Sequence, residues 1–456
     1  MGTWYADQTR IHNFITPRLA PLPDLAGRQP ELQQRLRAAH SAAEGRFQAK
    51  AGLEELARLY QVNGFSAEAE TSYETLTALE PNNPRWAHRL AALRASYGDI
   101  DLALPLWKQV VLLAPDYLPA QLSLAEAYLK TTRTDDADSL YRQVLSKDPN
   151  QASAYLGRAR CELARQHNEQ ARSLLEQAVT LQPMLSTAWA LLASLYDQMK
   201  EPSLAQAARA RAQGQPPSPS DPWIDVPLED HYDPYQIGVA ASIAALAGEH
   251  EKARRGFQRA STLAPDDAMA RRLLGKFLAE RNELASARQE LEKAVQLDPQ
   301  HPDGWLYLLQ TLLALGDQQA AEKALRDGLQ YCPTSPGLHQ ELGRRQAAAG
   351  QTSAAIASFK EAKRLRPQEA AAYIDLAVLY LRIGQSEVAL TELRAAHAAE
   401  PGHPMPLMAL ARHAIESKDE PAARHWIRQL KALGSAQPGE VNDLTRYYEI
   451  QFARAP

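Results

Sequence analysis

Residues 333–367 read PTSPGLHQELGRRQAAAGQTSAAIASFKEAKRLRP, and this stretch decides the fold. Two prolines 34 residues apart enclose a first apolar-periodic run containing Leu342 and Gly343, a break at Gly350, and a second run through Ala355 and Phe359. Leu and Gly side by side on one run, then Ala and Phe four residues apart on the next, put each set on one face of a 3.6-residue helix. Glycine between the runs supplies the left-handed backbone at which a first helix ends. Proline at Pro336 suits a helix start, because the first turn's N–H groups have no intrahelical partner.

The same ruler extends in both directions. Pro265, Pro299, Pro333, Pro367 and Pro401 keep the 34-residue step, as do Pro81, Pro115, Pro149, Pro183 and Pro217. The gap from Pro217 to Pro265 is 48 residues, one period and fourteen more, so a single array is interrupted by an insertion. With these prolines at position 32, repeats start at Lys50, Pro84, Leu118, Ala152, Ser186, Pro234, Ala268, Pro302, Pro336, Ala370 and Pro404. Position 20 is then alanine in all eleven, from Ala69 to Ala423, as two closely crossing helices require. Position 8 is Ala or Gly except at Leu309, position 7 is Leu except at Arg158 and Ala240, and position 24 is bulky except at Arg209.

These columns resemble the tetratricopeptide repeat over residues 50 to 433. The resemblance implies an all-α solenoid of helix-turn-helix units, a right-handed superhelix of about eleven 34-residue repeats in two subarrays. The expected organisation is an extended N-terminal segment plus a lead-in helix over 1–49, five repeats over 50–219, the insertion over 220–233, six repeats over 234–437, and a capping helix over 438–456. The lead-in helix is expected at 31–47, after a proline-rich stretch with Trp4, Pro17, Pro21 and Pro23. The last helix carries Val441, Leu444, Tyr448 and Phe452, suited to covering the apolar face that a terminal repeat exposes.

In this family the first helix of each repeat lines a concave groove with positions 2, 5, 9, 12 and 13. The resemblance therefore makes Arg58, Arg85, His88, Lys130 and Arg160 groove candidates in the early repeats, opposed by Glu54 and Glu126. Arg272, Lys276, Gln310, Gln340 and Arg344 follow in the middle repeats. Ile374, Val378, Leu381, Met405, Met408 and Arg412 make the last two more apolar, with methionine as an adaptable contact. A mildly basic groove suits an acidic or extended peptide through charge-assisted hydrogen bonds; the plain alternative is solvated helix faces. Some family members clamp a chaperone's terminal carboxylate with a Lys/Asn/Arg set, but Glu54 and Arg58 stand at the corresponding first-repeat positions, so that clamp is absent here.

The insertion, SDPWIDVPLEDHYD, lies in a stretch from Ala212 to Glu251 that has no Lys or Arg. Prolines 216, 217, 219 and 222 favour extended chain at its start. Trp223, Asp225 and Tyr232 are its candidate contacts. Either this acidic, aromatic segment folds back onto the basic groove of the first five repeats or presents a docking surface, or it is a hinge between subarrays.

Composition bounds the function. At 456 residues the chain is 45% hydrophobic and 23% charged with a net charge of −4, which disfavours nucleic acid as a partner. Two cysteines, Cys161 and Cys332, without CxxC spacing exclude a disulfide framework and a cysteine zinc site. His231 with Asp230 and Asp233 is a poor metal candidate on a loop. No phosphate-binding or nucleophile motif is present, and the repeats leave no stretch for a catalytic domain. The expectation is a non-catalytic adaptor for a protein or peptide partner, without cofactor, in a bacterial assembly by compositional style. The alternatives are an accessory subunit of an enzyme complex or a groove for another polymer such as a polysaccharide. The start, MGTWYADQTR, has no signal-peptide pattern, so the expected compartment is cytoplasmic, or an exported one if a signal has been removed.

Overall fold

The computed structural model describes residues 2–212, 221–433 and 438–452. Among the described residues there are 25 α-helices, two short 3-10 turns and no strand. The chain divides into two compact units, Met1–Leu195 with Ala212–Leu263, and Tyr196–Arg211 with Ala264–Pro456.

Both units are built from antiparallel helix pairs at the 34-residue pitch. In the first unit these include Pro84–Ser96 with Ile100–Leu113, and Ala152–Ala164 with Asn168–Leu181. In the second they include Pro302–Ala314 with Gln318–Tyr331, and Pro336–Ala348 with Thr352–Leu365. The alanine column has a steric cause: all eleven, from Ala69 to Ala423, are fully buried. Where position 8 is glycine the reason is equally direct, since a Cβ on Gly343 would stand 2.6 Å from the Phe359 ring at position 24. Starts are capped as the sequence suggests. Asn83, Asp233 and Ser335 each precede a proline and accept a backbone N–H of the first turn.

Each first helix ends in a left-handed residue. Gly64, Gly98, Gly248, Gly316, Gly350 and Gly384 have φ between 74° and 92°. The repeats without glycine at this position place Thr132, Gln166, Lys200, Asn282 and Lys418 at φ of 59° to 64°. The turn is therefore imposed by the packing of the helix pair, with local strain where a side chain is present.

Two expectations need correction. The N-terminal stretch is not extended, because Gly2–Ile15 is helical. Its prolines begin only at Pro17, and Ile11 and Ile15 bury against Leu32, Leu36, Leu53 and Tyr60. The insertion also does not mark the boundary between the units. The pair Pro234–Leu246 and His250–Leu263 belongs to the first, where Gln29 Nε2 donates to the Leu263 carbonyl at 3.0 Å. In the second unit the final helix, Pro438–Phe452, buries Leu444 and Tyr448 against Leu407, Ile415, Ile427 and Leu430.

Candidate functional site

A set of polar contacts between distant parts of the chain lies in the first unit, where residues 221–232 cross the face made by the lead-in and early repeat helices. Asp233 caps the helix that follows, accepting from the N–H groups of Tyr235 and Gln236, and so fixes where the segment ends. The segment runs against the order of the repeats. Asp221 is beside Tyr117 in the loop before Leu118–Lys130, and Asp230 is beside the lead-in helix Pro30–Glu44 and the first repeat helix Ala49–Val62.

At its start the Asp221 carboxylate sits in a cradle. Trp107 Nε1 donates to His88 Nδ1 at 3.2 Å; an indole N–H can only donate, so the neutral imidazole carries its proton on Nε2. That proton points at Asp221 Oδ2, 2.8 Å away, while the Tyr117 hydroxyl donates to Oδ1. His88 is fully buried. Burial opposes the charge on Asp221, but the His88 and Tyr117 hydrogen bonds outweigh it and hold the carboxyl below the usual aspartate range. Burial and the neighbouring carboxylate push the Tyr117 phenol up in turn. Two residues on, Trp223 stacks on Tyr117 with ring centroids 3.6 Å apart and planes 10° from parallel. The Arg85 guanidinium lies 5.8 Å from the Trp223 ring.

The end of the segment is held more deeply. Asp230 accepts from Arg35 Nη2 at 2.7 Å and Arg58 Nε at 3.2 Å, and its side chain is only 5% exposed. Asn63 pairs with the backbone as a strand would, donating to the Asp230 carbonyl at 2.8 Å and accepting from Tyr232 N at 2.9 Å. Tyr232 is buried, with Arg259 4.8 Å from its ring centroid. Arg259 also donates to the carbonyls of Glu229 and His231, and Arg89 to that of Asp225. Burial pushes the His231 imidazole down. Asp230 is committed to two arginines and Asp233 to a helix cap. Among the described residues no group of three His, Cys, Asp or Glu side chains is placed to hold a metal ion.

The sequence-predicted residues fall into distinct places. Arg58, Arg85 and His88 meet the insertion. Arg160 pairs with Glu126 at 2.6 Å, and with Lys130 the two line a cavity of about 290 Å³ floored by Trp107, Leu122 and Tyr141. In the second unit Lys276 and Gln310 line another of about 280 Å³, with Lys276 5.6 Å from the Tyr307 ring. Gln340 and Arg344 both donate to Asp375 of the same chain. Arg272 is half-buried, Met405 and Arg412 are exposed, and Met408 packs beside the terminal cluster. Within the insertion Trp223 and Tyr232 make side-chain contacts, and Arg89 donates to the carbonyl of Asp225.

Arg35, Asn63, Arg89, Tyr117 and Arg259 were not among the sequence candidates. Arg35 lies outside the repeats and the other four lie off the first-helix groove columns. The one available signal is that Asn63 is the single asparagine in the column preceding the left-handed turn.

A solenoid of stacked helical hairpins, with an extended segment of chain laid across its first-helix face, defines an all-α helical-repeat protein. Tetratricopeptide repeat models match residues 133–195 and 278–340, and residues 240–302, 341–404 and 375–438, together more than half of the sequence. The chain belongs to the tetratricopeptide repeat family. Similar solved structures include yeast Tom70 (15% identity, 89% of this chain and 96% of that one, TM-score 0.43). The anaphase-promoting complex hetero-tetramer Cut9–Hcn1 is similar at 15% identity over 93% and 97%, TM-score 0.40. YrrB, described as a repeat protein with an unusual peptide-binding site, is similar at 22% identity over 39% and 92%, TM-score 0.30. No curated protein matches the sequence. No helix among the described residues is long and apolar enough to cross a membrane.

Proposed function

We propose that the chain is a non-catalytic scaffold that binds an extended, acidic segment of a partner protein on the first-helix face of its first unit. The observation that carries this reading is the placement of residues 221–232. This face holds an acidic, aromatic stretch through guanidinium and amide contacts to backbone and carboxylates, the chemistry that recognition of an extended peptide uses. The family supports an interaction role. Arg58, Arg85 and His88 are the sequence candidates that serve this face, and Lys130 and Arg160 continue it into the open cavity beside Tyr141. The exposed Val378, Leu381 and Met405 in the second unit suit a more apolar stretch of partner.

The test is affinity capture from a lysate of the source organism with the intact chain and with an Arg160→Glu/Lys130→Glu variant, read by mass spectrometry. A small set of proteins retained by the intact chain and lost by the variant is the expected result. Retention unaffected by both charge reversals would place the partner elsewhere, and no specific retention would overturn the scaffold reading.

A further inference from the structure

The Asp221 cradle has a property that the rest of the segment's binding surface lacks: it is a complete two-part recognition site for a carboxylate followed two residues later by an aromatic ring. We infer that His88, Tyr117 and Arg85 form a specific docking site for an acid-x-aromatic motif of a partner protein, and that Asp221 and Trp223 occupy it in cis as an internal stand-in. The inference rests on the scaffold reading and specifies its partner.

Three features of the site carry it. The first is preorganisation. His88 is fixed as an Nε2–H donor by the Trp107 indole behind it, and Tyr117 converges on the same carboxylate from the other side. A buried donor without an acceptor is costly, so the cradle demands a carboxylate or its equivalent whenever Asp221 leaves. The second is the stacking face of Tyr117, which takes any flat ring at the 3.6 Å spacing seen for Trp223, with Arg85 at the ring's side. The third is a gradient in how firmly the insertion is held. Asp230 and Tyr232 are buried in the core cluster of the first unit, whereas Trp223 and Ile224 are half-buried and Pro222, Asp225 and Pro227 are exposed. The first half can exchange with an external segment while the second stays anchored. The open cavity lined by Trp107, Lys130 and Arg160 adjoins this site through Trp107, which gives a displacing partner further surface.

A tethered ligand on a short linker acts at an effective concentration of about 1 mM. Against an intrinsic affinity of order 0.1 mM it fills the cradle about ten to one, so an external motif binds the native chain about tenfold more weakly than a chain whose own motif is disabled. The experiment uses the full-length protein and a fluorescein-labelled peptide of residues 221–227, Asp-Pro-Trp-Ile-Asp-Val-Pro, followed by anisotropy. The Asp221→Ala/Trp223→Ala double variant keeps Asp230 and Tyr232 in place, and circular dichroism checks that it is folded. The expected result is binding to the double variant about tenfold tighter than to the native chain. Adding Tyr117→Phe, which keeps the ring and removes the hydroxyl, weakens that binding about tenfold. A probe with either its first Asp or its Trp replaced by Ala does not bind.

Equal affinity for native and double variant, or binding indifferent to Tyr117→Phe, would place the probe elsewhere and overturn the assignment. So would no binding to a folded double variant. Should that double variant misfold, the single Trp223→Ala chain serves, with the same tighter binding expected and its absence counting against the site. A chain that captures partners as proposed above yet ignores the probe refutes the motif and leaves the scaffold standing; failure of both removes both.

Discussion

Replacing Asp230 with alanine tests whether the insertion is anchored by charge. The carboxylate is 5% exposed and accepts from Arg35 at 2.7 Å and Arg58 at 3.2 Å. Breaking a fully buried ion pair from one side costs about 3–5 kcal/mol, because the partner charge is left uncompensated. Arg35 and Arg58 have side chains 28% and 34% exposed, and Arg35 keeps Glu55 at 2.9 Å, so both cations rehydrate in part. The expected loss is therefore smaller, about 2–3 kcal/mol, confined to opening of the segment. The Tyr232 amide, bonded to Asn63 Oδ1 at 2.9 Å, reports that opening. At about 1.4 kcal/mol per decade its hydrogen exchange should accelerate roughly thirty- to a hundredfold in Asp230→Ala. Glu229→Ala, which removes an exposed neighbouring side chain, should leave the rate within about twofold. An unchanged Tyr232 amide in Asp230→Ala would refute the argument, and equal acceleration in Glu229→Ala would show a nonspecific effect of lost charge.

Three further sets of substitutions probe the repeat itself. Thr132→Gly, Gln166→Gly and Lys418→Gly each relieve a positive φ and should raise stability by about 1 kcal/mol in denaturant titration, with Gly316→Ala in the same column lowering it by a similar amount. Gly157→Ala drives a Cβ to 2.1 Å from the Tyr141 ring and should cost about 2–3 kcal/mol, recovered largely by Tyr141→Leu in the same chain. The pH dependence of melting should carry the mark of Asp138. Burial opposes its charge, but Arg158 and Arg142 outweigh that and hold its carboxyl low. A depressed carboxyl adds stability that is fully present above its unfolded value and lost as pH falls through its folded one. Melting temperature should thus fall more steeply below about pH 4 in the native chain than in Asp138→Asn, and parallel curves would count against the assignment.

The fold was legible because one physical demand, the close crossing of paired helices, repeats at fixed spacing. Every position-20 alanine is fully buried for that reason, and the left-handed turn forms even where Thr132 or Lys418 replaces glycine. Irregular columns were legible as irregular but not in their cause. Arg158 breaks the leucine column because it pairs with Asp138 at 3.1 Å, a side chain only 6% exposed, in a network that also takes Arg165. The N-terminal helix was missed because prolines just beyond it dominate the reading of a stretch whose Ile11 and Ile15 are core residues. The site was legible in part. Periodicity brought Arg58, Arg85 and His88 to one face, and composition marked the insertion as acidic and aromatic. What docks where was not, because Arg35, Tyr117 and Arg259 come from a lead-in helix, a loop and a second helix that share no column.

The insertion joins two energetic regimes in twelve residues, and the order matters for a binding protein. An anchor at Asp230 and Tyr232 fixes the segment in register, so Asp221 and Trp223 return to the same cradle after each release without searching the surface. Were the strong contacts at the Asp221 end instead, a partner would have to break them before reaching Tyr117. With the weak end over His88 and the firm end in the core, displacement can proceed from Asp221 inward and stops at the first buried carboxylate. Thus the buried pair Asp230 and Tyr232, beyond a stretch in which exposed Pro222, Asp225, Pro227 and Glu229 alternate with half-buried neighbours, sets how far a competing segment can advance.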